Sequence, residues 1–270
     1  MYALRNLSCF DIPELVPYRT LRRQFDHLGR GFFVAEGEKV VRRLIETSFE
    51  IQSVLLPPKW QAEYEELLSK RSENVDLFVA SVESIEDLAA VSIYQSVLAV
   101  ARVPAPTPMS ALLALHSPRL LLALDHVTNA ENVGAVIRSA VALGAQAVLV
   151  GGGTCHPYLR RAVRASMGSI FQVPYLPSGD LAQSLLELRE AGVRTVAAHP
   201  SSNSRQLGEF SLGSDVCVVL GSEGAGICEA VLAACEVHAA IPMRAGVDSL
   251  NVAAAAAAFF YEADRQRRRQ

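Results

Sequence analysis

The chain has 270 residues, 50% hydrophobic and 20% charged, with a net charge of −3. This composition suits one large or two modest globular domains, and no apolar run approaches the roughly 20 residues a membrane span needs. Five cysteines (Cys9, Cys155, Cys217, Cys228 and Cys235), odd in number and without a C-x-x-C pair, argue against a disulfide framework or a zinc site.

The start, MYALRNLSCFDIPEL, lacks the basic opening and apolar core of a signal peptide, and a reducing cytoplasm is the expected compartment. Residues 12–30 read as helical, with apolar positions at helical spacing. FFVAEGEKVVRRLIET (32–47) reads as a strand, a turn at Gly37 and an amphipathic helix. A strand at 53–56, a helix at 61–71, a strand at 77–80, a helix at 82–91 and a strand at 97–103 complete an α/β domain over 1–103. The proline-bearing stretch 104–118 reads as a linker holding a short apolar piece.

A second domain over 119–270 opens on RLLLALD, the apolar run of a strand buried on both faces. Helix 132–143, strand 145–152, a helix around 158–166, strand 171–176, helix 180–191 and strands at 194–200 and 215–221 follow. A helix around 227–234, strand 238–243 and a final helix near 250–268 end the chain. The alternation predicts a parallel sheet with helices on both faces. Alanines 253–258 strengthen the last helix, since alanine is the best helix former.

Charge is unevenly spread. Arg19, Arg22, Arg23, Arg30, Lys39, Arg42 and Arg43 gather near the start, with acids among them. Arg160, Arg161 and Arg164 form a basic group with no acid nearby in sequence, a candidate contact for a phosphate backbone such as that of RNA, with solvated surface as the alternative. The tail, RQRRRQ (265–270), reads as solvated surface. Neither G-x-G-x-x-G, a P-loop nor G-x-S-x-G occurs. His126, His156, His199 and His238 are scattered without metal spacing and read as structural or surface residues, so no metal is expected. Cys217 lies in an apolar strand and reads as a buried small residue.

Three blocks then stand out in fixed order: NVGAVIRSA (132–140), VVLGSEGAGI (218–227) and IPMRAGVDSLNVAAAA (241–256). Each joins an apolar segment, a glycine-bearing loop and one or two polar residues, the make-up of ligand sites at the ends of open α/β sheets. Together they resemble the three motifs of the SpoU/TrmH family of RNA ribose 2′-O-methyltransferases, of the SPOUT class. The segment HPYLRRAVRASMGSIFQVP (156–174) looks like family sequence as well. The first domain, with FVAEGEKVV, is similar to the ribosomal-protein-like substrate-binding domain of rRNA-modifying members.

The resemblance implies a C-terminal methyltransferase domain with a deep trefoil knot, a homodimer through that domain, and a cytoplasmic enzyme. It implies S-adenosyl-L-methionine as cofactor, held by backbone around Leu220, Gly221, Ile241, Met243 and Leu250. Asn132 and Arg138 match the first motif's asparagine and catalytic arginine. Glu223 matches the second motif's glutamate, and Ser249 and Asn251 the serine and asparagine of the third. Ribosomal RNA is the implied substrate; the same reaction on tRNA, a non-catalytic RNA-binding protein of this fold, and an oxidoreductase with an atypical dinucleotide site are the alternatives.

Arg138 has two readings: a base-like role, or a grip on the RNA phosphate that stabilises a developing alkoxide. The second is physically easier, because a guanidinium holds its protons. Asn132 alone could cap a helix, Arg138 lie on a helix surface, Glu223 be a solvated loop acid, and Ser249 with Asn251 cap the alanine helix. The chain departs from the family at Ala130, where proline is usual, at Ser139 for threonine, and at Ala253, where serine is common.

Overall fold

In the computed structural model, residues 2–6, 10–90, 93, 96–201, 204–246 and 249–268 are described. Cys9, the last residue of the helix predicted over 82–91, Val247 and Asp248 of the third block, and the last two residues of the basic tail lie outside that set. The chain divides into two units: residues 1–105 with 158–171, and residues 106–157 with 172–270.

The first unit runs β1 (Tyr2–Asn6), α1 (Val16–Arg19), α2 (Gln24–Gly29), β2 (Phe32–Glu36), α3 (Glu38–Ile45), β3 (Ile51–Leu56), α4 (Gln61–Ser69), β4 (Val75–Val79), α5 (Val82–Ala89) and β5 (Leu98–Arg102). Its five strands pair in the order β1-β4-β3-β5-β2. Strands β1, β4 and β3 are parallel, and β5 is antiparallel to β3 and β2. Leu15, Tyr18 and Leu21 pack with Leu55 and Phe78 in its core.

The helix predicted over 12–30 is instead a 3₁₀ turn at Pro13–Leu15 followed by two short α-helices. Pro17 opens α1, and the Thr20 hydroxyl donates to the Val16 carbonyl at 2.8 Å while also meeting the His27 ring at 2.8 Å. That local bonding competes with helix propagation, and the chain turns between the helices. Strand β1 was not legible, since a five-residue edge strand with one arginine carries little pattern.

The second unit runs α6 (Met109–Leu113), β6 (Leu120–Asp125), α7 (Ala130–Ala142) and β7 (Ala147–Val150). Next in sequence comes α8 (Arg160–Ala165), which belongs to the first unit. The second unit resumes with β8 (Tyr175–Pro177), α9 (Leu181–Glu190), β9 (Arg194–Ala198), β10 (Arg205–Gln206), β11 (Val216–Gly221), α10 (Glu229–Ala234), β12 (Val237–Ala240) and α11 (Val252–Arg267). Seven strands pair in the order β10-β12-β9-β11-β6-β7-β8, every pair parallel. All six residues of β6 are buried: the apolar run Leu120–Leu124, as a strand covered on both faces requires, and Asp125 at its end.

Two boundaries differ from the sequence reading. The stretch read as a linker over 104–118 belongs to the second unit from Pro106 onward. Leu112 is fully buried in that unit's core, and the Thr107 N–H donates to the Tyr175 carbonyl at 2.9 Å. The proline run is thus held by the apolar piece that follows it. Residues 158–171, read as part of the second domain, pack on the first unit's sheet. Tyr158 and Phe171 sit 5.1 and 5.9 Å from Phe33, and both also meet Phe49. The strand read at 171–176 begins only at Tyr175, because Ser169–Gln172 forms a 3₁₀ turn.

The tail is not all solvated surface. Arg267 donates to the carbonyls of Pro118, Arg119, Leu212 and Ser214, and Gln266 bonds Phe210 and Leu212. These bonds fix the C-terminal end of α11. Among the described residues, no helix is long and apolar enough to cross a membrane.

Candidate active site

Three strands of the second unit, β9, β11 and β12, end around one pocket of about 350 Å³. A parallel sheet points all its carboxyl ends to the same edge, where open α/β sheets hold ligands. Leu220 and Gly221 end β11, Ala239 and Ala240 end β12, and Val252 and Phe259 of α11 supply the apolar side. Leu220, Ala239, Val252 and Phe259 are each buried. The polar rim comes from Ser222, Glu223 and Ser249.

The loop after β11 is closed on itself. Ser222 and Gly226 exchange two backbone hydrogen bonds of 3.0 Å, and the Ser222 hydroxyl accepts the Ala225 N–H at 3.1 Å. Gly226 has φ +72°, and a Cβ on Gly221 would lie 2.3 Å from the Gly226 carbonyl carbon and oxygen. Only glycine fits at 221. A side chain at Gly224 would meet open space, so the backbone does not demand that glycine.

Glu223, carried on this loop, is exposed and faces Asn251 at the start of α11. The Asn251 amide is used in full. Its oxygen accepts the Ala253 N–H at 2.9 Å, which caps α11. Its nitrogen donates to Glu223 Oε1 at 2.6 Å and to Asn132 Oδ1 at 3.3 Å. Cap and site are therefore the same side chain. Asn132 is not a cap: α7 begins at Ala130, and Asn129 accepts the N–H groups of Glu131 and Asn132 at 2.8 and 3.1 Å. One polar chain thus links α7, the glycine loop and α11.

Residues 119–261 match the SpoU rRNA Methylase family. The chain belongs to that family. It is 34% identical to an uncharacterised tRNA/rRNA methyltransferase of Mycobacterium tuberculosis over 94% of this chain and 90% of that one. It is 34% identical to a 23S rRNA (guanosine-2′-O-)-methyltransferase, RlmB, of a Burkholderia species, over 73% of this chain and 80% of the relative. Among solved structures, an AdoMet-bound rRNA methyltransferase from Sinorhizobium meliloti superposes with a TM-score of 0.81 at 26% identity, covering 97% and 98% of the two chains. The SpoU methyltransferase AviRb of Streptomyces viridochromogenes, in complex with AdoMet, gives 0.80 at 26% identity, covering 96% and 100%.

In this SpoU-family chain the five residues expected to hold the cofactor, Leu220, Gly221, Ile241, Met243 and Leu250, all line the pocket. Glu223 and Ser249 line it too, and Asn251 ties Asn132 to Glu223. Arg138 does not join them. It is exposed on α7, lies outside the pocket lining, and makes no ion pair among the described residues.

The basic group near 160 also behaves differently from the sequence reading. Arg160 and Arg164 both donate to the carboxylate of Glu36, which is 1% exposed. Their acid is 124 and 128 residues away in sequence, which is why none was visible nearby. Arg160 is thereby committed to an internal ion pair, whereas Arg161 remains exposed.

Sequence reasoning missed the β9 wall, Ala198, His199 and Pro200. Its signal was available: these residues sit at the carboxyl end of a strand in a parallel sheet. Burial of Cys217 agrees with its reading as a small core residue, and burial raises its thiol's pKa. Burial also pushes the Cys235 thiol up to about 12. Neither is a nucleophile at neutral pH.

Proposed function

We propose that this chain transfers the methyl group of S-adenosyl-L-methionine to a ribose 2′-hydroxyl of ribosomal RNA. The observation that carries this reading is the junction of the pocket with the Glu223–Asn251–Asn132 chain at the carboxyl edge of the parallel sheet. A volume of about 350 Å³ lies within the size range of small-molecule sites. The fit is supported by Gly221, where the backbone closes with no room for a side chain, and by apolar walls without a ribose-binding acid beyond Glu223.

The cofactor supplies an already activated sulfonium methyl. The protein's task is alignment and proton handling. Backbone at Leu220, Gly221, Ile241, Met243 and Leu250 holds the adenosine part. Ser249 and Asn132 orient the ribose hydroxyl, and Glu223 fixes Asn251 between them. Arg138 grips the neighbouring RNA phosphate and stabilises the alkoxide as it forms, remaining protonated throughout, while the hydroxyl proton passes to solvent; the new O–CH3 bond forms as the S–CH3 bond breaks, and S-adenosylhomocysteine leaves. Its absence from its own chain's pocket supports a homodimer in which Arg138 serves the partner's site. The insertion of β11 between β6 and β9, two strands that precede it, supports a trefoil-knotted methyltransferase domain.

The first unit is the RNA-binding, ribosomal-protein-like domain. Arg22, Arg23 and Arg30 are exposed without an ion pair among the described residues, and Phe25 beside them is 73% exposed. Exposed cations with an aromatic face suit a nucleic-acid strand. The relatives named RlmB favour rRNA, and a cytoplasmic site of action follows from that substrate.

The test is methyl transfer from labelled S-adenosylmethionine to unmodified total rRNA and to tRNA, followed by nucleoside analysis. A 2′-O-methylated nucleoside from the rRNA pool, lost in Arg138→Ala, is the expected result. Incorporation into tRNA alone moves the substrate. Cofactor binding without transfer to free RNA or ribosomal particles overturns the catalytic reading.

A further inference from the structure

Three side chains that sequence spacing kept apart meet at the carboxyl end of β6. Asp125 ends that strand, His126 follows it, and Cys228 precedes α10, about a hundred positions on. Register explains the meeting. Asp125 pairs with Gly221 across β6 and β11, and the closed loop after Gly221 delivers the chain to Cys228. A search for C-x-x-C or H-x-x-H spacing has no means of seeing this, because the ligands are joined by sheet pairing.

The geometry is specific. Asp125 is 2% exposed, and both its oxygens are used. One meets His126 Nδ1 at 2.7 Å, and the other accepts the Cys228 N–H at 2.8 Å. A carboxylate oxygen of Asp125, a ring nitrogen of His126 and Cys228 Sγ all lie within 4.8 Å of one another. The backbone is shaped around the imidazole. His126 takes φ +53°, a left-handed conformation that a non-glycine residue rarely adopts. Behind the ring lies Gly153, where a Cβ would sit 2.4 Å from His126 Cδ2. His126 is half exposed and Cys228 exposed, so solvent reaches both.

We propose that Asp125, His126 and Cys228 bind a divalent transition-metal ion of the zinc class. Carboxylate, imidazole and thiolate are its characteristic donors, and three protein ligands leave a fourth tetrahedral position to water. Sulfur and nitrogen donors select against magnesium and calcium. Zinc bond lengths place tetrahedral ligand atoms roughly 3.3–3.8 Å apart. The exposed His126 and Cys228 side chains are the members that can move to close the remaining gap.

A metal-bound cysteine is a thiolate, so the incoming ion displaces the Cys228 thiol proton into solvent. The dication then meets one carboxylate and one thiolate, leaving the site neutral. Cys228 directly follows Ile227 and the loop 222–226, so the ion ties the exit of the pocket loop to the end of β6. The site stands independently of the methyl-transfer reading.

The experiment uses full-length, chelator-stripped protein titrated with cobalt(II), read by thiolate-to-metal charge-transfer absorption, with zinc(II) as competitor. One equivalent per chain, displaced by zinc, is expected. Cys228→Ser abolishes the thiolate band, and His126→Asn weakens cobalt binding about tenfold or more, while Cys155→Ser changes neither. Circular dichroism of each variant checks the fold. Absence of a thiolate band in the unmodified protein overturns the site. So does a band that survives Cys228→Ser, or cobalt affinity unchanged in His126→Asn.

Discussion

Two glutamates stand before glycines near the ends of strands, Glu36 as the last residue of β2 in AEGEK and Glu223 just after β11 in SEGAG, and the structure uses them in opposite ways. Glu36 is 1% exposed and takes both Arg160 and Arg164. Glu223 is exposed and, among the described residues, takes only the neutral amide of Asn251. Meanwhile Arg138, an arginine of the same unit as Glu223, stays without an ion pair among the described residues. A buried carboxylate needs formal countercharge, or it leaves a desolvated ion. An exposed one keeps its hydration and remains available to a substrate. In the first unit Glu36 consumes Arg160 and Arg164 to hold a segment in place; in the second, Glu223 and Arg138 stay apart, where chemistry can use them.

The sharpest way to break this comparison is at Glu36. Glu36→Ala strands Arg160, whose side chain is 13% exposed and whose Nε already lacks a partner. Removing one member of a buried ion pair costs about 3–5 kcal/mol. Trp60, the chain's single tryptophan, lies in the same unit and reports its urea unfolding. A midpoint unchanged from wild type would show that the pair is idle. Adding Arg160→Met recovers most of the loss, since the stranded cation goes with it.

The opposite arginine is expected to matter for rate and not for stability. Arg138→Ala lowers single-turnover methyl transfer by about 100-fold or more, the scale of losing one transition-state charge partner. Unfolding and cofactor affinity stay as in wild type, because Arg138 touches neither the core nor the pocket. A parallel loss of cofactor binding would move Arg138 into the pocket and end the contrast with Arg160.

Asn251 separates the cap from the site. Asn251→Asp keeps an equally good N-cap for α11. It also sets a second carboxylate 2.6 Å from Glu223 in place of the donating amide, and removes the donor to Asn132. Thermal stability should shift by less than about 1 kcal/mol, while methyl transfer falls about tenfold. Asn251→Ala, losing cap and bridge together, lowers both readouts. Equal activity in wild type and Asn251→Asp would reduce the polar chain to a capping device.

These contrasts mark where the sequence was legible. The parallel sheet was readable because β6 and β11 are unbroken apolar runs, which only strands buried on both faces tolerate. The pocket wall at Leu220, Gly221, Ile241, Met243 and Leu250 was readable because those residues sit in motif blocks at strand ends. What stayed hidden depends on long-range partners. Glu36 and Arg160 are 124 residues apart, so a basic cluster looked free that is not. Tyr158 and Phe171 carry no local sign that Phe33 and Phe49 await them. His199 was set aside as a scattered histidine, since its role comes from where β9 stops and not from its neighbours in sequence.

A third carboxylate lies between the two extremes. Asp215, 15% exposed, meets the Ser117 hydroxyl, the Arg119 N–H at 2.7 Å and the Arg119 guanidinium at 2.6 Å. Burial by itself would raise its pKa; the hydrogen bonds from Ser117 and Arg119, with the charges of Arg119 and Arg267, outweigh burial and hold it below the ordinary aspartate value of 3.8. A depressed carboxyl favours the folded state above its unfolded pKa and loses that contribution as pH falls through the folded value. The stabilisation is therefore complete at neutral pH and fades only below about pH 4. Asp215→Asn keeps the shape but removes the charge, so it lowers the melting temperature at pH 7 and flattens its decline below about pH 4. The effect is the smallest of the four, because a single ion pair, to Arg119, and partial exposure moderate what Glu36 feels in full. Identical acid limbs in wild type and Asp215→Asn would show that Arg119 and Arg267 hold the end of α11 through backbone carbonyls alone, with no part played by the carboxylate between them.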